Sequence, residues 1–224
     1  MTGPVNVRDV GGLPLVGGGV TRRGVLLRGD ALYDGDEPPA HVTWPPATVI
    51  DLRSAKERDR SPYTWPEGVA IVSRELFDAA DLGRMPREGA LMSVYRELVA
   101  NAGPGIAGLL DVMGDGPTYL HCAAGKDRTG ASVAALLLLA GVPEEAVVAD
   151  YQRTESAMGG VLARLVERGA IDVDGWQPEW AEAPYEAVGL VIEAVTGHPD
   201  GPRGWFLENG ATDAAIDRFL GRFI

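Results

Sequence analysis

Between Thr118 and Gly141 the chain leaves itself little choice of fold. The turn Gly114-Asp115-Gly116-Pro117 leads into a short strand, Thr118-Tyr119-Leu120-His121, and a glycine-containing loop follows. An apolar helix then runs from about Thr129 to Ala140 and is stopped by Gly141. That helix carries Val133 and Leu136 to Leu139 with almost no polar face, so it reads as a buried element. The apolar stretch from Ala131 to Val142 is too short to span a bilayer, which needs roughly 20 residues. A buried strand feeding a buried helix implies helices packed on a sheet.

The flanking sequence fits that plan. Short apolar strands are predicted at Val25-Leu26-Leu27, Ala47 to Leu52 and Val69 to Val72. Gly17-Gly18-Gly19, between LPLV and VTRRGVLLR, predicts a turn joining two short strands rather than a phosphate loop, since neither G-x-G-x-x-G nor G-x-x-x-x-G-K-[ST] is present. Helical spacing begins near Pro86 to Ala100 (Leu91, Tyr95, Leu98, Val99) and covers Pro104 to Met113. Pro143 with Glu144 and Glu145 opens another helix, with proline first and acids in the first turn. Val161 to Arg168, Pro184 to Thr196 and Thr212 to Phe223 are also helical, the last with Thr212 as N-cap. Asp172 to Trp180, with Trp176 and Trp180, is expected to be an irregular connection. The expected fold is α/β, a central mostly parallel sheet flanked by helices, with a helical C-terminal layer.

With 224 residues, residues 1–224 are expected to form a single domain. A hydrophobic fraction of 46% excludes disorder, and a net charge of −12 argues against a general binder of nucleic acid or anionic membranes, while the shortness of the apolar stretches leads to no stable membrane insertion being expected. Cys122 is the sole cysteine, so no internal disulfide can form, and with three scattered histidines no metal site or other cofactor is expected. The opening MTGPVNVRDV lacks a basic and apolar leader, so a cytoplasmic location is expected, export without a signal peptide remaining open.

The loop His121-Cys122-Ala123-Ala124-Gly125-Lys126-Asp127-Arg128-Thr129-Gly130 carries the chemistry. It places the Cys122 sulfur at the N-terminus of the apolar helix, where unpaired N–H groups and the macrodipole favour a thiolate nucleophile. Residues Ala123, Ala124, Gly125, Lys126, Asp127 and Arg128 can curl so that successive amides converge on a tetrahedral dianion. Gly125 permits the turn, Arg128 offers paired donors to phosphate oxygens, and Thr129 places a hydroxyl near the sulfur. Those parts describe phosphoryl transfer onto sulfur.

The same segment resembles the C-x5-R-[ST] signature of cysteine-dependent protein tyrosine phosphatases. In its H-C-x-x-G-K-D-R-T-G form it is similar to an atypical bacterial branch. The likeness extends to Asn6-Val7-Arg8-Asp9-Val10-Gly11-Gly12, Leu27-Arg28-Gly29-Asp30-Ala31-Leu32, Val49-Ile50-Asp51-Leu52-Arg53-Ser54 and Val148-Ala149-Asp150-Tyr151. The resemblance implies Cys122 as nucleophile, Arg128 as phosphate clamp and the backbone from Ala123 to Arg128 as cradle. It implies Asp78 as general acid, with Asp81 the runner-up, and phosphotyrosyl protein or phosphoinositide as substrate. Lys126 reads either as a second cation for a doubly charged headgroup or as a solvent-facing lysine paired with Asp127. Arg8, Asp9, Asp51 and Arg53 are expected to brace the loops. Ala79 to Glu88 is too short for the two-helix lid that members of the branch can carry, leaving room for a shorter flap.

Two other readings use the same loop. A rhodanese-type sulfurtransferase also has a cysteine in a cradle, but its persulfide chemistry needs no acid loop. A non-enzymatic phospho-ligand module would need Arg128 and not the nucleophile.

Overall fold

The computed structural model describes residues 3–76, 89–171 and 178–224. Five short strands, β1 (Arg8–Asp9), β2 (Leu26–Gly29), β3 (Thr48–Asp51), β4 (Ala70–Ser73) and β5 (Thr118–His121), form one sheet in the order β1-β2-β5-β3-β4. β1 runs antiparallel to β2, and every other pairing is parallel. The expected mostly parallel α/β sheet is borne out.

The register sets up the site. In the centre, β5 pairs Gly29 with His121 on one side and Asp51 with His121 on the other. The loops that leave β2, β3 and β5 therefore emerge together at one edge. In open parallel sheets this carboxyl edge is where ligands bind.

Alternation along the strands separates two packing faces. Leu26, Ile50 and Leu120 face the larger core, shared with the helices α2 (Ala90–Asn101), α5 (Asp127–Leu139) and α7 (Tyr185–Thr196). Leu27, Val49 and Tyr119 face the other way, under Trp44, Tyr63 and Trp65. Trp44 meets Tyr119 edge-on at 5.2 Å between ring centroids. Every residue of α5 from Arg128 to Leu139 is buried, which accounts for its apolar sequence.

Elsewhere the chain forms α1 (Ala55–Arg60), α3 (Gly103–Ala107), α4 (Leu109–Val112), α6 (Glu144–Glu167), a 3-10 turn (Pro178–Ala181), α8 (Gly201–Glu208) and α9 (Asp213–Phe223). Thr212 caps α9, its hydroxyl accepting from the Ala215 amide at 3.1 Å.

Several boundaries differ from the sequence reading. The hairpin around Gly17 to Gly19 reduces to a single bridge, Pro14 with Val20. The turn itself is present, closed by the Leu15 amide on the Gly19 carbonyl, with Leu13 and Leu15 packed on the core and Val16 and Val20 exposed. The predicted 104–113 helix is two short ones separated by Gly108. The segments beginning at Pro143 and Val161 are one continuous helix, α6. α8, where the sequence reading places no helix, buries Phe206 fully. α5 starts at Asp127, two residues before Thr129, bringing the end of the loop into its first turn.

Candidate active site

Cys122 follows β5 directly and is buried at 2% exposure. Residues 123–126 form the loop, and α5 begins at Asp127. The sulfur thus stands at the foot of α5, at the carboxyl edge of the sheet.

The loop carbonyls show how its amides are aimed. The Ala123 carbonyl accepts from the Ala31 amide at 3.0 Å, and that of Ala124 from Asn6 Nδ2 at 3.1 Å. The Gly125 carbonyl accepts from Arg28 Nη2 at 2.9 Å. All three acceptors are thus engaged by donors of the Asn6 and Arg28–Ala31 stretches, behind the loop. In a trans peptide the next residue's N–H points opposite to the carbonyl. The amides of Ala124, Gly125 and Lys126 are consequently turned to the other side, where Cys122 and Arg128 line a cavity of about 390 Å3. Among the described residues, the amides of Ala123 through Arg128 have no acceptor. Such a concave run of donors suits an oxyanion.

Gly125 permits this arrangement sterically as well. It sits at φ +70°, and a Cβ there would lie 2.3 Å from the Gly29 oxygen and 2.7 Å from the Asp30 nitrogen. The loop thus rests directly on the backbone that leaves β2.

Arg128 is held from the opposite wall. Its Nη1 and Nη2 donate to Glu57 Oε2 and Oε1, each at 2.7 Å, and Nη1 also reaches the Leu52 carbonyl at 3.4 Å. What remains is the side-on edge made by Nε and the outer hydrogen of Nη2, the geometry that grips two oxygens of one anion. Burial works against both charges. It is outweighed by their mutual bonding, which lowers the Glu57 carboxyl below its usual range and raises the Arg128 guanidinium. Glu57 in turn forms a capping box with Ser54 at the start of α1. The sequence reading missed Glu57; Ser54-Ala55-Lys56-Glu57 spells that box and would have located the helix, not the grip on Arg128.

The bracing residues fall where expected. Arg53 makes a two-pronged pair with Asp51 at 2.8–3.2 Å and reaches the Ser61 carbonyl. Burial opposes the Asp51 charge, but His121 at 3.8 Å and the Arg53 fork hold its pKa down to about 2. Asp9 accepts from the amides of Gly11 and Gly24. Arg8 bonds Asp150, as does Arg28.

Lys126 corrects one expectation. It is 2% exposed rather than solvent-facing, and its ammonium donates to the carbonyls of Trp180 at 2.8 Å and Glu182 at 3.0 Å, with Asp127 3.5 Å away. Thr129 is fully buried, and its hydroxyl has no partner among the described residues. Asp78 and Asp81, together with the flap between Ala79 and Glu88, lie outside the described residues.

The cavity lining mixes charged side chains, Arg53, Lys56, Glu57 and Arg60 among them, with apolar surface. Cys122, Asp127 and Arg128 line it, and Leu91, Val94, Met158, Leu162 and Ile171 supply the apolar surface. Among the described residues no helix is long and apolar enough to cross a membrane.

Comparison with known proteins places these residues among relatives. A model described as tyrosine phosphatase family matches residues 1–224. A Cupriavidus necator protein named as a candidate tyrosine-protein phosphatase is 32% identical over 185 residues, 73% of this chain and 67% of that protein. A tyrosine-protein phosphatase of Nostoc commune is 25% identical over 188 residues, covering 75% of this chain and 63% of its own length. The triple specificity protein phosphatase PtpB of Mycobacterium tuberculosis is 43% identical over 51 residues, 23% of this chain and 18% of that protein.

Proposed function

Because this chain belongs to the tyrosine phosphatase family, we propose that residues 1–224 form a single domain that acts as a protein-tyrosine phosphatase through a phosphocysteine intermediate. The observation that carries the reading is the row of carbonyls at Ala123, Ala124 and Gly125, all bonded from behind. It leaves a preorganised bowl of amides beside Cys122, facing the free edge of Arg128.

In the first step the Cys122 sulfur attacks phosphorus and the bond to the leaving phenoxide breaks. Asp78 gives its proton to that oxygen. In the second step a water attacks the phosphocysteine while the Asp78 carboxylate takes the water's proton. The sulfur–phosphorus bond breaks, the thiolate returns and inorganic phosphate leaves. Throughout, the amides of Ala123 to Arg128 and the Arg128 edge hold the equatorial oxygens, and such fixed donors supply the largest share of rate enhancement in sites of this type. The Thr129 hydroxyl, buried and without a partner among the described residues, is assigned donation to the departing sulfur in the second step. Asp78 rests on the sequence resemblance, with Asp81 as its rival.

The substrate class follows from the walls. A phenyl ring suits the apolar surface of Leu91, Val94, Met158 and Leu162, whereas an inositol headgroup would leave its hydroxyls against it. Lys126 is committed to the carbonyls of Trp180 and Glu182, while Arg53, Lys56 and Arg60 also line the cavity. The apolar surface supports phosphotyrosyl protein over phosphoinositide, whereas the basic side chains suit either anion.

A phosphate-release screen over phosphotyrosyl peptides, phosphoseryl peptides and phosphoinositides tests the proposal. Phosphotyrosyl peptides are expected to lead by at least about tenfold in kcat/KM. Cys122→Ser is expected to abolish release while still binding vanadate. Parental turnover in Cys122→Ser would end the covalent mechanism, and a phosphoinositide preference would end the substrate assignment. Asp78→Asn compared with Asp81→Asn identifies the acid.

A further inference from the structure

Two motifs of the sequence, around Arg28 and Asp150, touch no substrate in the steps above, yet the fold joins them directly behind the loop. Asp150, on α6, is buried and accepts from Arg8 Nε at 2.8 Å through Oδ1 and from Arg28 Nη1 at 2.7 Å through Oδ2. Its backbone carbonyl takes Arg8 Nη2 at 2.7 Å. Each arginine then passes the connection on to the loop. Arg28 Nη2 donates to the Gly125 carbonyl. Arg8 Nη1 donates to Asn6 Oδ1 at 2.7 Å, and Asn6 Nδ2 donates to the Ala124 carbonyl.

The charges do not balance. Two guanidinium groups share one carboxylate, so the cluster holds one excess positive charge in the interior. The other charged groups around it have partners of their own or add to the excess. Asp127 on α5 faces Lys126, and Asp30 after β2 faces Arg164. Arg153 on α6 bears on Arg8 in the same positive sense. Burial, together with the charge of Arg28, lowers the Arg8 pKa to about 10 despite Asp150. Arg28 also lies beneath the first turn of α5, its Nη2 3.5 Å from where a Cβ on Gly130 would stand. A cation is unfavourable at a helix N-terminus, so this placement costs the fold energy that a neutral residue would save.

We infer that Arg28, anchored by Asp150, is a positioning residue for oxyanion binding, which fixes the direction of the Gly125 carbonyl and sets an uncompensated charge behind the cradle. Resting on the phosphatase reading, it assigns Arg28 no contact with substrate. Arg128 grips the anion from the front, and Arg28 works through the Gly125 peptide from the back. Pointing that carbonyl rearward aims the Lys126 amide forward, and the excess charge favours a dianion over neutral occupants.

Direct calorimetric binding of orthovanadate tests this without relying on turnover. Arg28→Met is expected to weaken vanadate binding by about tenfold or more. Arg28→Lys, which keeps the charge and can still reach one carbonyl, is expected to recover at least a third of the parental affinity. Asp150→Asn keeps Arg28 but frees its guanidinium, and is expected to weaken binding at least about threefold. A purely structural role would reduce the folded fraction while leaving the dissociation constant of the remaining molecules unchanged. An unchanged constant in Arg28→Met therefore overturns the inference. If Arg28→Met does not fold, an unchanged constant in Asp150→Asn does so. Should the unaltered protein bind vanadate yet release no phosphate from any ester, the catalytic reading falls and this one stands.

Discussion

Replacing Gly125 by alanine separates two effects that one residue combines. The first is conformational, because φ +70° is left-handed backbone, which costs an alanine about 1 kcal/mol. The second is steric. The added Cβ would stand 2.3 Å from the Gly29 oxygen and 2.4 Å from its carbonyl carbon, both backbone atoms of the sheet edge. Ordinary contact begins near 3.4 Å, so the loop must retreat from β2 by about 1 Å. Overpacking of that kind adds about 2 kcal/mol, for about 3 in all. In a chain of this size that lowers Tm by about 6–12 °C. A shift of about 1 Å in the cradle is expected to reduce kcat/KM about a hundredfold. Gly141→Ala is the control. Gly141 has φ +81° with nothing within 4 Å of an added Cβ, so that variant bears the conformational cost alone. It should lose about 1 kcal/mol and no activity. Thermal melts and hydrolysis of para-nitrophenyl phosphate on both variants suffice. If Gly125→Ala turns over within threefold of Gly141→Ala, the register of the amides is not what binds phosphate.

Other expectations follow from named contacts. Glu57→Gln keeps the capping box, which accepts glutamine, but sets an amide against a guanidinium N–H, so kcat/KM should fall about 10- to 100-fold with little change in Tm; equal activity would show that Arg128 needs no such tether. Burial raises the Asp30 pKa to about 6 from 3.8, so its contribution to stability is full below about pH 4 and is lost as pH rises through 6. Urea midpoints of the parent at pH 4 and 7 should therefore carry a loss of about 2 kcal/mol that Asp30→Asn does not show, and parallel pH curves would contradict it. Thr212→Ala removes the cap of α9 and should cost about 1 kcal/mol in the same assay, with activity unchanged.

The central strand–loop–helix was legible because everything that makes it is local. Tyr119 and Leu120 alternate between two buried faces, Gly125 marks the turn, and residues 131–139 are apolar on every side of a helix. The same locality located Cys122 and Arg128, six residues apart on one loop. Errors gathered where the local signal was weak or doubled. The glycine triplet marked a real turn but its flanking strands shrink to one bridge, and a helical period over 104–113 ran through Gly108 without showing the break.

What the chain could not reveal in one dimension is which charge meets which. Lys126 had Asp127 beside it, yet its ammonium turns to carbonyls 54 and 56 residues away. Arg128 takes Glu57, 71 residues away, and Arg28 shares Asp150 with Arg8, neither pairing carrying any spacing rule. Those choices depend on β5 lying between β2 and β3 with Gly29, His121 and Asp51 in register, which brings three loops to one edge. A short-range pattern can say that a sulfur and a guanidinium will share a loop. Ion pairs form between groups that a sheet's strand order makes neighbours, and that order is a property of the folded chain alone.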